Sequence, residues 1–434
     1  VQSWATRTGA RVTLRTDPTM PEEADVAVIA SAELGSWAER GELTPVPVAL
    51  RAADHPFQWN AVLPPYREQL IEWGGQARAI PLSGDGYVVV YRADRLTDPK
   101  VVAAFLKRTG KRPAEPSSWE DFAALAATLT ALDGQPALPA LTGREAADLF
   151  FRVAACYDRP ARNESGVADP DDTTSALSFQ YALASAAPRL ETAGFRAAAN
   201  WLAGLASEKC LPAPVEASDP VAALADGRAC IAVLSLAQLD RLPRDNGQVP
   251  ARFGVAALPG SRSFTDPRSG QLVSATGVNY IPYFAGGRLG VVRTRCARPE
   301  AAFDLLADLG GPTRSLEIIS TPGLGAGPFR TTHLDQERLL IWLGYGFDPA
   351  RSTALLTALR QYVRVEVKNP AYGLRVPHQQ ELSAAAARVI GQIAAGTVPA
   401  EAGLPALRTA WETIDARFPR DARQRWLRLS VGVN

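Results

Sequence analysis

Short apolar runs alternate with amphipathic stretches along most of the chain. Asp25–Ala30 (DVAVIA), Ala79–Leu82, Tyr87–Tyr91 (YVVVY), Ala229–Leu234 (ACIAVL), Phe253–Leu258 (FGVAAL) and Leu289–Val292 read as strands, and DVAVIA has the continuous apolar character of one buried on both faces. Arg11–Arg15 adds a strand alternating around Val12 and Leu14. Between the strands lie helical patterns. The opening VQSWATRTG is the end of a helix closed near Gly9, LGSWAERGEL is a short helix stopped by Gly41, and a further helix is expected around Tyr66–Trp73. SSWEDF at Ser117–Phe122 is a capping-box arrangement that opens a helix to about Leu132. More helices are predicted at Ala146–Ala155, Gly194–Ala206, Asp219–Ala225 and Arg298–Leu309, the last with Pro299 in its first turn and Gly310 beyond its end. After Gly327 the pattern is almost wholly helical, with the last two helices divided near Gly396–Pro399. Strands and helices alternating in this way define an α/β protein.

Composition narrows the function. A chain of 434 residues suggests two or three units. With 46 Lys+Arg against 45 Asp+Glu it lacks the basic field that nucleic-acid binding requires. There is no apolar run near the roughly 20 residues of a membrane span, and no signal-peptide pattern at the N-terminus; an exported protein would already have lost it. Cys156, Cys210, Cys230 and Cys296 form no C-x-x-C pair, although Cys156 and Cys210 could join in an oxidising compartment. His55, His333 and His378 stand far apart, as surface or loop residues would, and support neither a metal site nor a triad. An acidic loop at Arg159–Thr174, with Asp158, Asp169, Asp171 and Asp172, lacks the ligand spacing of a calcium loop. No nucleophile elbow or phosphate loop occurs, and PGLGAGP at Pro322–Pro328 reads as a loop that brings backbone close to something. No cofactor or metal is implied.

Several segments carry a resemblance by their shared order: W-x-x-x-T-G-x-x-V at Trp4–Val12, DVAVI followed by WAERGELTPV at Trp37–Val46, AIPL at Ala79–Leu82, YVVVYRAD at Tyr87–Asp94, SSWEDF, DPVAALADGRACIAV at Asp219–Val233, FAGGRLGVV before the helix PEAAFDLL, and LRVPHQQEL before a closing pair of amphipathic helices. In this order they resemble the type-1 extracellular solute-binding proteins of bacterial ABC importers, the group that includes maltodextrin-binding proteins. The resemblance covers nearly the whole chain. It implies a two-lobed periplasmic-binding-protein-like fold (type II), each lobe a mainly parallel sheet flanked by helices, with the ligand cleft at the hinge. Crossings near Ala93, Leu258 and Gly311 would give one lobe from residues 1–92 and 259–311 and a second from 93–258 and 312–434. The family begins with a strand before its first helix, and this chain begins within that helix.

A sugar site combines polar groups that meet hydroxyls with aromatic rings that meet C–H faces. The family places an acidic sugar ligand ahead of the tyrosine matching Tyr91, which selects Asp85, a residue that equally suits the turn S-G-D-G. Ser31 and Glu33 follow DVAVIA; Arg144 opens a helix whose family counterpart supplies contacts; Ser235 follows ACIAVL, with Leu236 where an aromatic is expected. Trp59, Tyr87, Tyr283 and Tyr372 are candidate stacking rings, Gly286 and Gly287 suit close backbone approach, and Arg330 could fork onto hydroxyls or form a structural ion pair. The function implied is capture of a small polar solute, a carbohydrate in the first instance, by a monomer in the periplasm or otherwise outside the cytoplasm, with or without a lipid anchor, and delivery to a membrane permease without catalysis. The alternatives are a glycoside-cleaving enzyme with paired cleft carboxylates and a solute-sensing domain.

Overall fold

The computed structural model describes residues 1–16, 24–161, 173–364 and 370–433. Most of the acidic loop, residues 162–172, lies outside them.

Six strands build the two principal sheets: β1 (Val26–Ala30), β2 (Ile80–Ser83), β3 (Tyr87–Arg92), β4 (Ile231–Ser235), β5 (Phe253–Ala256) and β6 (Arg288–Val292). Their order is β1-β6-β2 in one sheet and β4-β3-β5 in the other. Every ladder in both is antiparallel, which corrects the expectation of mainly parallel sheets. The central strands supply the reason. β3 and β6 each start directly after the chain passes between the sheets, so they run away from the junction while their neighbours run toward it. A strand entering from the opposite end pairs antiparallel on both sides. The β-α units survive in the flanking strands, since β1 and β2 still share a direction.

Other departures have local causes. β1 is an edge strand with Val28 58% exposed, not a strand buried on both faces. Residues 11–15 form no strand, and among the described residues nothing pairs with the outer edge of β1; an extended segment without a ladder partner gains nothing over hydrated coil. The helix expected at Tyr66–Trp73 is a single wide turn, Tyr66–Leu70, before a hairpin of Glu72–Trp73 and Gln76–Ala77. Gly74 and Gly75, with φ of 64° and 69°, make its two-residue turn.

The principal helices are α1 (Trp119–Asp133), α2 (Gly143–Asp158), α3 (Ala193–Ser207), α4 (Pro299–Gly310), α5 (Pro349–Tyr362), α6 (Gln379–Ala394), α7 (Ala400–Asp415) and α8 (Arg420–Ser430). Their starts follow the sequence signals: Ser118 Oγ accepts from Asp121 N–H at 3.1 Å, and Thr142 and Glu145 form a reciprocal capping box. α4 packs on β2 and β6, α5 on β3 and β5, and α2 lies against α3 and α6. The C-terminal pair is followed by a third helix, α8, which returns to the first half: Arg425 pairs with Glu39, and Arg375 donates to the carbonyls of Leu70 and Ser430.

The chain changes sheets at residues 84–86, between β2 and β3, and at 285–287, before β6. The hairpin of Ser261–Thr265 and Leu272–Asn279 packs on α1, α2 and α3, while Pro312–Ser320 packs on β2.

Two of the three histidines are core residues, contrary to expectation. His333 is 0% exposed, with Nε2 2.9 Å from Ser315 Oγ and its pKa lowered to about 3 by burial. His378 Nε2 lies 3.0 Å from Asp415 Oδ1. All four cysteines are free, so Cys156 and Cys210 are unpaired, and burial pushes the Cys156 thiol up to about 12. Asp158 is buried and ion-paired with Arg189 at 2.9 Å, not part of a solvated loop.

Arg351 fixes α5 to β5. Its guanidinium donates to the carbonyls of Val249, Pro250 and Phe253 at 2.8, 2.8 and 3.0 Å and pairs with Asp348 at 2.8 Å. Arg351→Ala leaves three half-buried carbonyls without donors and is expected to cost about 2–3 kcal/mol. Chemical denaturation checks this, and an unchanged midpoint would show that water replaces the guanidinium without loss.

Candidate functional site

A cleft of about 590 Å³ opens where β1, β2 and β4 end and where β3 and β6 begin. α2, α6 and Trp411 of α7 close it on the side of the second sheet. Asp85, in the first passage, organises it. One carboxylate oxygen, Oδ2, accepts the N–H groups of Ala285 and Gly286 at 3.0 Å each and lies 3.0 Å from the Tyr362 hydroxyl on α5. That hydroxyl is also 2.7 Å from the Tyr283 carbonyl and takes a bond from Arg152 Nη1 at 3.4 Å. Oδ1 makes no hydrogen bond among the described residues. Gly84 and Gly327 exchange backbone bonds at 2.8 and 3.0 Å, which joins the PGLGAGP loop to the first passage. The PGLGAGP loop thus brings its backbone against residues 84–86: a Cβ on Gly327 would lie 2.1 Å from the Asp85 carbonyl carbon.

Of the residues selected from sequence, Asp85, Tyr87, Arg144, Ser235, Tyr283, Gly286 and Gly287 line this one cleft. Arg144 stands exposed at its rim and makes no hydrogen bond or ion pair among the described residues. The Tyr87 ring carries the Arg152 guanidinium 3.6 Å from its centroid. Five others do not line the cleft. Ser31 lies just behind it, donating Oγ to the Gly286 carbonyl at 2.8 Å and its N–H to Gly287 at 3.1 Å. Glu33 turns back to cap the Ala30 N–H at 2.9 Å. Trp59 is 7% exposed, packed on Phe57 under Arg51. Tyr372 is buried and stacked on Phe284. Arg330 is 0% exposed and donates to the carbonyls of Gly310, Gln58 and Phe57 at 2.8, 3.2 and 2.8 Å, binding backbone instead of either a ligand or an ion-pair partner. Leu236 is buried against Gly86, so its position does not face the cleft at all; Ala237 does.

A profile of the bacterial extracellular solute-binding proteins matches residues 9–338. The chain belongs to that family. The fold agrees: the maltose-bound MalE3 of T. maritima superposes with a TM-score of 0.61 at 16% identity, over 90% of this chain and 85% of that one. No curated protein matches the chain. The family and the fold are those of binding proteins. Among the described residues no helix of this solute-binding protein is long and apolar enough to cross a membrane, and no cluster of His, Cys, Asp or Glu could hold a metal ion.

Several cleft residues of this solute-binding protein escaped the sequence reading: Asp148, Phe151, Gln180, Arg288, Gln379 and Trp411. The signal for Asp148 was present. Arg144, Asp148 and Arg152 recur every four residues along the helix, a polar stripe on one face. Phe151 and Trp411 look like core from sequence and do pack as core, with rings 6.3 Å apart and 28° between planes, yet their edges reach the cleft floor. Asp148 has no hydrogen bond or ion pair among the described residues. Burial pushes its pKa above the ordinary value, opposed by the charges of Arg152 and Arg144.

The charged Asp148 carboxylate is therefore carried at a cost to stability at neutral pH. Asp148→Asn is expected to raise the melting temperature at pH 7. The gain should shrink as pH falls toward 3.8, the ordinary value, below which the carboxyl is neutral in both folded and unfolded chains. Melting curves across that range decide it; a variant less stable than the parent at pH 7 would mean that attraction to the arginines outweighs desolvation.

Proposed function

We propose that this solute-binding protein captures a carbohydrate between its lobes, closes around it by hinge bending at the passages between the sheets, and presents the closed form outside the cytoplasm to the permease of an ABC importer, without chemical change to the solute. The observation that carries the reading is the composition of the cleft. Polar groups with unused hydrogen-bonding capacity, namely Asp85 Oδ1, Asp148 and Arg144, face a floor containing Tyr87, Phe151, Tyr283 and Trp411. Hydroxyls take directional bonds from the first set and sugar C–H faces pack on the second. The maltose bound to MalE3, a protein of the same fold, supports the same solute class. The passages at 84–86 and 285–287 are joined at Asp85, and a ligand touching both sides favours the closed state through contacts it makes only there.

A thermal-shift panel of maltose and longer oligosaccharides tests the reading, since a ligand at 100 times its Kd adds about 2.7 kcal/mol of stability. Arg144→Ala is expected to leave the unliganded melting temperature unchanged and to weaken the best carbohydrate about tenfold. Stabilisation by an amino acid or polyamine and by no sugar would overturn the assignment.

A further inference from the structure

Beside the main cleft lies a second chamber of about 320 Å³, entirely on the side of the second sheet. Tyr87, Asp148 and Ser235 belong to the linings of both, so the two spaces adjoin at those residues. Beyond the junction the character of the wall changes. Phe122, Leu138, Leu141, Leu149, Leu211 and Val233 stand on it. The polar groups on that wall are largely engaged with protein. Glu145 caps Thr142 at 2.8 Å and accepts the Ser218 hydroxyl at 2.6 Å, and Gln238 Oε1 accepts the Ser235 N–H at 2.9 Å. Unused hydrogen-bonding capacity remains at Asp148, where the two linings overlap, at Gln238 Nε2, and at Arg152 Nη2, a buried donor without a partner. The polar cleft thus adjoins, at three polar side chains, a largely apolar space large enough for an aromatic ring or a short alkyl chain.

We propose that the solute is amphipathic: a carbohydrate whose hydroxyls occupy the main cleft and whose apolar substituent, an aryl or alkyl aglycone, enters this chamber past Tyr87, Asp148 and Ser235. The inference rests on the carbohydrate reading and adds the chemical class of the substituent. A sugar ring does not suit the chamber, because burying hydroxyls against leucine and phenylalanine leaves them without partners. An apolar group gains there by leaving water. Asp148 and Ser235 are placed to meet polar atoms at the point where sugar and substituent join.

Calorimetric titration with maltose and with p-nitrophenyl α-maltoside tests the proposal. The aryl glycoside is expected to bind at least about tenfold more tightly than maltose. Val233→Trp and Leu141→Trp fill the chamber from half-buried positions, one on β4 and one on the loop before α2. Each is expected to abolish the advantage and to leave the maltose Kd within about twofold. Should Val233→Trp fail to fold, Leu141→Trp carries the same readout. Equal affinity of the two ligands for the parent protein, or an advantage that survives the chamber-filling substitutions, overturns the inference and leaves the carbohydrate reading standing. Failure of both ligands to bind removes the carbohydrate reading, and the inference with it.

Discussion

The geometry of the cleft depends on a single carboxylate oxygen. Asp85 sits in the first passage, yet its Oδ2 is held by backbone N–H groups of the second passage and by a tyrosine from α5. A buried carboxylate is tolerated where donors surround it, and here the donors come from segments about 200 and 277 residues away in sequence. The charge therefore acts as a clasp on chain segments that would otherwise pass each other freely. Two glycines make the clasp sterically feasible. A Cβ on Gly286 would sit 2.4 Å from Asp85 Oδ1, and one on Gly327 would overlap the Asp85 backbone. Placement of Tyr87, Ser235, Gly286 and Gly287 around one cavity follows from this junction, because each lies within a few residues of it or on a strand paired to it.

The second sheet contributes a different element. α2 carries Arg144, Asp148 and Arg152 up one face, and the three play distinct parts. Arg152 is structural, bonded to Tyr283 and Tyr362 and lying over Tyr87. Arg144 is exposed and unengaged among the described residues. Asp148 is desolvated without a direct partner among the described residues, an arrangement that costs stability. Structural and unused groups thus share a single helix stripe, backed by the aromatic cluster of Phe150, Phe151, Phe179 and Phe195.

The pattern of apolar and polar residues determined the elements. β3, β5 and β6 bury their central residues as the runs implied, and the helices begin at the caps their sequences announce, because hydrophobic burial and the satisfaction of helix-end N–H groups are local demands written in neighbouring residues. Only the tertiary structure decided direction, partnership and role. The antiparallel ladders follow from where β3 and β6 enter their sheets, and the silence of residues 11–15 follows from the absence of a ladder partner among the described residues. Arg330 and Arg144 are the same residue type beside the same kind of loop or helix start, yet one is consumed by three carbonyls from distant segments and the other faces open space. His333 and His378 are buried for the same reason, through contacts with Ser315 and Asp415 that no local pattern encodes. A side chain's hydrogen-bond partners are set by which distant segments the core brings together, and that is information a one-dimensional pattern does not contain.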